Sequence, residues 1–164
     1  MTPSPPLETV AHDIQLRNLV LGTAQLLRLT LPIGWALDKG LAPPEVSAAH
    51  ERQGRRWAVT ARAWYVVYHP ERRWAAELAI RIAPQGPRGW AAQGAPFQVN
   101  GHPARVRVRE KRRGPPWRRH TVTFLTIAWA CPHTERYIEL EYSGWCPEEG
   151  FAALQEAARQ TACH

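Results

Sequence analysis

From Trp74 to Ile82 the chain alternates strictly: Trp74, Ala76, Leu78, Ile80 and Ile82 share one side of an extended backbone, and Ala75, Glu77, Ala79 and Arg81 take the other. A helix would spread these residues around its circumference, whereas a strand puts every second side chain on one face. The segment is therefore a strand with one face in a core and the other outside it. The same character recurs along the chain. Trp57 to Tyr68 is rich in aromatic and β-branched types, and Ala104 to Lys111 is expected to turn Val106 and Val108 inward. His120 to Ala130 is a long apolar run that predicts a central strand, followed by Arg136 to Tyr142. Earlier, Ile14 to Leu21 and Leu26 to Leu31 read as strands, with Leu27, Leu29 and Leu31 facing away from Arg28 and Thr30.

Short breakers separate these runs: Pro32-Ile33-Gly34-Trp35, Pro70-Glu71-Arg72-Arg73, Asn100-Gly101 and Pro132-His133-Thr134-Glu135. Strands joined by so few residues must run antiparallel, and Asn-Gly is a strong hairpin signal. Pro43-Pro44-Glu45 is expected to open a short helix or loop to Gln53, and residues 83–96, with three Pro and three Gly, a loop. Pro147 at a helix N1 position, followed by Glu148 and Glu149, predicts a helix to about Ala162 with Phe151, Leu154 and Ala158 on one apolar stripe. The expected class is α+β: an antiparallel meander of about six to seven strands with a C-terminal helix packed on one face. A Pro-rich lead-in over residues 1–12 precedes a single domain over residues 13–164, a size usual for one core.

Composition narrows the function classes. At 45% hydrophobic and 21% charged residues the chain builds a core and is not disordered. It has no run of about 18 uncharged apolar residues, so a helical membrane span is not expected. The N-terminal Met1-Thr2-Pro3-Ser4-Pro5-Pro6 lacks the basic start of a secretory signal, and a cytoplasmic location is expected. The net charge is +7, carried by 19 Arg and only 2 Lys, with 24 Ala and three Ser. A GC-rich coding bias produces that total, so its distribution says more. Residues 1–51 have a net charge of −2, residues 52–119 of +13 and residues 120–164 of −4. The positive charge is concentrated in the middle of the chain.

Half of the basic residues of that segment form an arm. The outward row Arg105, Arg107, Arg109 and Lys111 continues into Arg112, Arg113, Trp117, Arg118 and Arg119. Guanidinium groups bind phosphates in bidentate fashion, and Trp117 is placed to stack on a base. Arg72 and Arg73 before Trp74, and Arg55 and Arg56 before Trp57, repeat the Arg-Arg-Trp theme. The plainer alternative is a solvated sheet face, with Arg stems lying over the tryptophans. Of the eight Trp, Trp90 in the Pro/Gly-rich loop and Trp117 at the tip have the least obvious core role. If exposed, both would anchor an interface.

Cys131, Cys146 and Cys163 are too few for a secreted disulfide scaffold. Cys131 stands at the turn end of its strand and Cys146 at the far end of the next. The final helix carries the chain back, so Cys163 is expected near Cys131. Three chemistries remain open: reduced buried thiols, a Cys131–Cys163 disulfide (in a cytoplasmic protein, a mark of a thermophile), or zinc held by Cys131, His133, Cys163 and His164. Catalytic signatures are absent from the sequence: no Gly-x-Ser-x-Gly, His-Glu-x-x-His, phosphate loop or Gly-x-Gly-x-x-Gly occurs. Glu139 and Glu141 share a strand face, where pairing with Arg across strands is the expectation rather than acid/base work.

The strand ending in Leu31-Pro32-Ile33-Gly34-Trp35, the antiparallel meander and a last strand followed by a closing helix resemble the PsbP-like α/β/α sandwich superfamily. That resemblance implies a mostly non-enzymatic binding protein, since the superfamily includes photosystem assembly factors, a release factor for a small nuclear GTPase and adaptor chaperones of secretion systems. The expectation is an adaptor or assembly subunit that contacts another protein through Trp90, Trp117 and the arm. The alternative is a nucleic-acid-binding module that uses the arm with Arg55, Arg56, Arg72 and Arg73.

Overall fold

A computed structural model describes residues 5–18, 22–50 and 57–163. Ten strands and one helix follow in order: β1 (Thr9–Asn18), β2 (Gly22–Pro32), β3 (Ala36–Lys39), β4 (Glu45–His50), β5 (Trp57–His69), β6 (Trp74–Ala83), β7 (Ala95–Val99), β8 (His102–Arg113), β9 (His120–Cys131), β10 (Arg136–Gly144) and α1 (Glu148–Ala158). β1 and β2 form a hairpin. The other eight strands form one antiparallel sheet in the order β3-β5-β6-β10-β9-β8-β7, and β4 shares the outer edge of β5 with β3.

The α+β class with a C-terminal helix holds, but with ten strands rather than six to seven. The additions are short edge strands whose pairing, not their composition, makes them strands. The helix or loop expected from Pro43 to Gln53 is instead the strand β4, paired from Glu45↔Arg62 to His50↔Trp57. β7 arises within the end of the expected loop because β8 offers it an edge. β1 begins at Thr9, inside the stretch read as lead-in, paired with Pro32.

One face of the sheet makes the core. Leu78, Ile80 and Ile82 of β6, Leu125, Ile127 and Trp129 of β9, and Ile138, Leu140 and Tyr142 of β10 are buried there with Leu27, Leu29 and Leu31 of β2. Fully burying each such leucine or isoleucine stabilises the fold by about 1.5–3 kcal/mol, so this shared layer is its main source of stability. Thr30, expected on the outer side of β2, is also buried. Its backbone N–H donates to the Thr161 hydroxyl, which the returning tail lays across it. Val108, expected inward, is 59% exposed. β7 pairs β8 no further than Val106, so beyond that point β8 is an uncovered edge.

The helix is shorter than expected. It ends at Ala158, and Pro147 is its N-cap rather than its first residue; Glu148 and Glu149 occupy the first turn, and Phe151, Leu154 and Ala158 are buried as the stripe predicted. Eleven residues rise only about 16 Å. The remaining return path is extended chain: Ala162 and Arg28 exchange backbone hydrogen bonds, and the N–H of Asn100 donates to the carbonyl of Arg159. Trp35, after the Pro32–Gly34 turn, packs among His69 and Trp74, so the Pro-x-Gly-Trp segment serves the core.

Candidate functional site

The other face of the sheet has no described element laid across it. Antiparallel register sets its side chains in rows, one of which reads Val66, Glu77, Ser143, Phe124, Arg109 from β5 to β8. The next reads Trp64, Ala79, Glu141, Thr126, Arg107, and a third Arg62, Arg81, Glu139, Ala128, Arg105. The basic column of β8 therefore stands two strands from an acidic column on β10. Arg109 reaches across to Glu141 at 3.4 Å, and the Thr126 hydroxyl donates to the same carboxylate oxygen at 3.3 Å. The Tyr137 hydroxyl donates to Glu139 at 2.6 Å; burial first, then that carboxylate, push the phenol well above its ordinary range. Glu139 and Glu141 are thus paired with neighbours across and along the sheet.

The arm does not project freely along its whole length. Arg109, Lys111 and Arg113 all lie over the Phe124 ring, with their cationic centres 5.3 to 5.9 Å from its centroid. Phe124 is buried beneath them. Cations stack on aromatic faces because the ring's quadrupole attracts them. Past this point the tip is open: Trp117 is 84% exposed, and Arg112, Arg113, Arg118 and Arg119 make no ion pair among the described residues. A groove of about 610 Å³ runs beside the arm, lined by Trp64, Val66, Glu77, Arg113, His120 and Trp145 among others. Trp145, 76% exposed, edges onto the His120 ring at 5.7 Å.

Arg72 and Arg73 sit in the β5–β6 turn at the same end of the sheet as the tip. Arg72 pairs with Glu149 at 3.0 Å and covers Trp74, so it ties the helix N-terminus to the turn; Arg73 takes a left-handed conformation with φ of 56°. Arg55 and Arg56 lie outside the described residues. Trp90 does not share a surface with Trp117. It packs on Tyr137, which pairs with Ala130, and the length of β9, about 36 Å, separates the two indoles. The exposed indole at the same end of the sheet as Trp117 is that of Trp145, just past β10.

The opposite end of the sheet carries the cysteine chemistry. Cys131 and Cys163 come together as expected, and both are buried. The imidazole that joins them is that of His102: the ligand atoms of His102, Cys131 and Cys163 all lie within 4.8 Å of one another, a cluster that could hold a metal ion. His133, expected in this set, lies exposed in the β9–β10 turn with its ring edge-on to His102 at 6.0 Å, and His164 lies outside the described residues. Burial pushes the Cys163 thiol up to about 11, with Cys131 adding to the shift and the Trp129 indole opposing it. Burial also pushes the Cys146 thiol up to about 11.

The β8–β9 register contains the signal that would have found His102. Ala104 pairs with Trp129, so two further residues put His102 opposite Cys131. No protein-family model, curated protein or solved structure matches the chain.

Proposed function

We propose that the protein is a non-enzymatic, cytoplasmic binding protein, an adaptor or assembly subunit, that receives another protein on the open sheet face beside the arm. One observation carries this reading: the exposed indoles of Trp117 and Trp145 stand at the end of an uncovered face whose groove presents both signs of charge. Trp and Arg dominate the energetics of protein interfaces, and a mosaic of Glu77, Glu141 and the β8 cations suits a partner of mixed charge. The non-enzymatic character that the PsbP-like resemblance implies agrees with it.

The alternative, a nucleic-acid-binding module, is supported by the tip alone, where Arg112, Arg118 and Arg119 share a short turn with an exposed indole. Against it, the acidic column on β10 repels a polyanion over the face, and Phe124, the aromatic nearest the basic row, is capped by three cations rather than bare for stacking.

A pull-down from native lysate, with half the sample nuclease-treated before washing, separates the two. Capture of the same protein with and without nuclease, lost on Trp145→Ala, supports the adaptor. Loss of all partners with release of nucleic acid, and an affinity that falls steeply between 50 and 200 mM salt, would replace it with the alternative.

A further inference from the structure

At the end of the sheet remote from the arm, we propose that His102, Cys131 and Cys163 form a zinc site with three protein ligands and a fourth position open to a groove. The fold brings the three together by separate means. The Asn100–Gly101 turn, with φ of 48° and 81°, starts β8 so that His102 faces Cys131 across the β8–β9 pair. Cys163 is delivered by the tail, which the Arg28–Ala162 bridge and the Thr161 hydroxyl hold in place on β2. Their positions therefore rest on sheet register and on a pinned strand end.

The spacing suits the metal. Zinc binds thiolate sulfur at about 2.3 Å and imidazole nitrogen at about 2.0–2.1 Å, so tetrahedral angles require about 3.8 Å between sulfurs and about 3.6 Å from sulfur to nitrogen. The Cys131 sulfur lies 4.0 Å from Nε2 of His102, and all three ligand atoms fall within 4.8 Å of one another. A contraction of about 0.4 Å brings Cys131 and His102 to that spacing, and one of no more than about 1.2 Å brings in Cys163. Two thiolates and an imidazole are soft and borderline donors that favour zinc over the oxygen-seeking magnesium and calcium. Binding displaces a proton from each thiol, and buffer accepts both.

Access comes from a groove of about 740 Å³, lined by His102, Cys131, Trp90, Tyr137 and Glu135 among others. Two of the three ligands border it, so the fourth position faces outward and takes water or a small exogenous donor. The groove lies at the end of the sheet opposite the arm and its exposed indoles, and this inference does not depend on the assignment of a partner protein.

The test uses untagged full-length protein purified under argon. Zinc content by mass spectrometry should be one ion per chain, and competition with a chromophoric chelator should show affinity falling about 100-fold or more for Cys131→Ser and Cys163→Ser. His102→Ala should weaken it at least 10-fold, while Cys146→Ser and His164→Ala retain it. Circular dichroism confirms that each variant is folded. With cobalt in place of zinc, a thiolate charge-transfer band should appear, and azide should shift the visible bands by entering the open position. Retention of zinc by Cys131→Ser, or alkylation of the unfolded chain without reductant at one cysteine only, would overturn the site: the second result means a Cys131–Cys163 disulfide. A spectrum that azide leaves unchanged, or loss of zinc in His164→Ala, would overturn the open position.

Discussion

The Arg109–Glu141 pair decides whether the open sheet face is neutralised from within, and Glu141→Gln tests it. The substitution keeps the shape and an acceptor for the Thr126 hydroxyl but removes the charge. At the observed 3.4 Å and an effective dielectric of about 20, two unit charges attract by about 5 kcal/mol. Most of that is offset, because the side chains are 36% and 28% exposed and both lose hydration and rotamer freedom. A net coupling of about 1 kcal/mol remains, and the single variant should cost about 1–2 kcal/mol because Arg109 is left half-buried without its anion. Urea unfolding of wild type, Glu141→Gln, Arg109→Met and the double variant measures the coupling; methionine preserves the stem over Phe124. A coupling below about 0.3 kcal/mol would refute the argument that the acidic column neutralises the basic one, and with it the main objection to a polyanion on this face.

Trp117→Ala and Trp145→Ala should each change stability by no more than about 0.5 kcal/mol, since both indoles are exposed, yet weaken capture of the partner protein by about 30-fold; unaltered capture in both would remove the proposed anchor. Burial raises the Cys146 thiol to about 11, so the folded chain holds a proton that the unfolded chain loses from near pH 8.5. That stabilisation is complete below pH 8.5 and is lost as the pH rises to about 11, so wild type should lose about 2–3 kcal/mol more than Cys146→Ala across this window. Parallel pH curves for the two would contradict it. Gly94 has φ of 80° and a Cβ there would come 2.3 Å from the Val106 carbonyl oxygen, whereas Gly101, φ 81°, has open space around it. Gly101→Ala should cost about 1 kcal/mol from backbone strain and Gly94→Ala clearly more, and equal losses in thermal unfolding would show that the clash relaxes away.

The legible part of this protein was its long strands. Trp74–Ile82, His120–Ala130 and Leu27–Leu31 declare their buried faces by alternation, because a two-residue period with large apolar side chains has few other solutions. Charge was legible for the same reason: Arg105, Arg107 and Arg109 had to leave the core together. The short pieces were not. β3, β4 and β7 carry too few residues to show a period, and they are strands only because β5 and β8 present unpaired edges to them.

The candidate sites divide along the same line. The sequence alone determined that Cys131 and Cys163 return to one end of the sheet, since a hairpin, a strand and a helix reverse the chain a definite number of times. Whether His102 or His133 joins them depended on the β8–β9 register, where one residue of slip turns a side chain to the other face. Which indoles stand together was likewise a tertiary matter: Trp90 and Trp117 are separated by the full length of β9, and Trp145 takes the place beside the tip because β10 ends there. Local pattern specifies which face a residue occupies, but only the pairing of distant strands specifies its neighbours, and a binding site is made of neighbours.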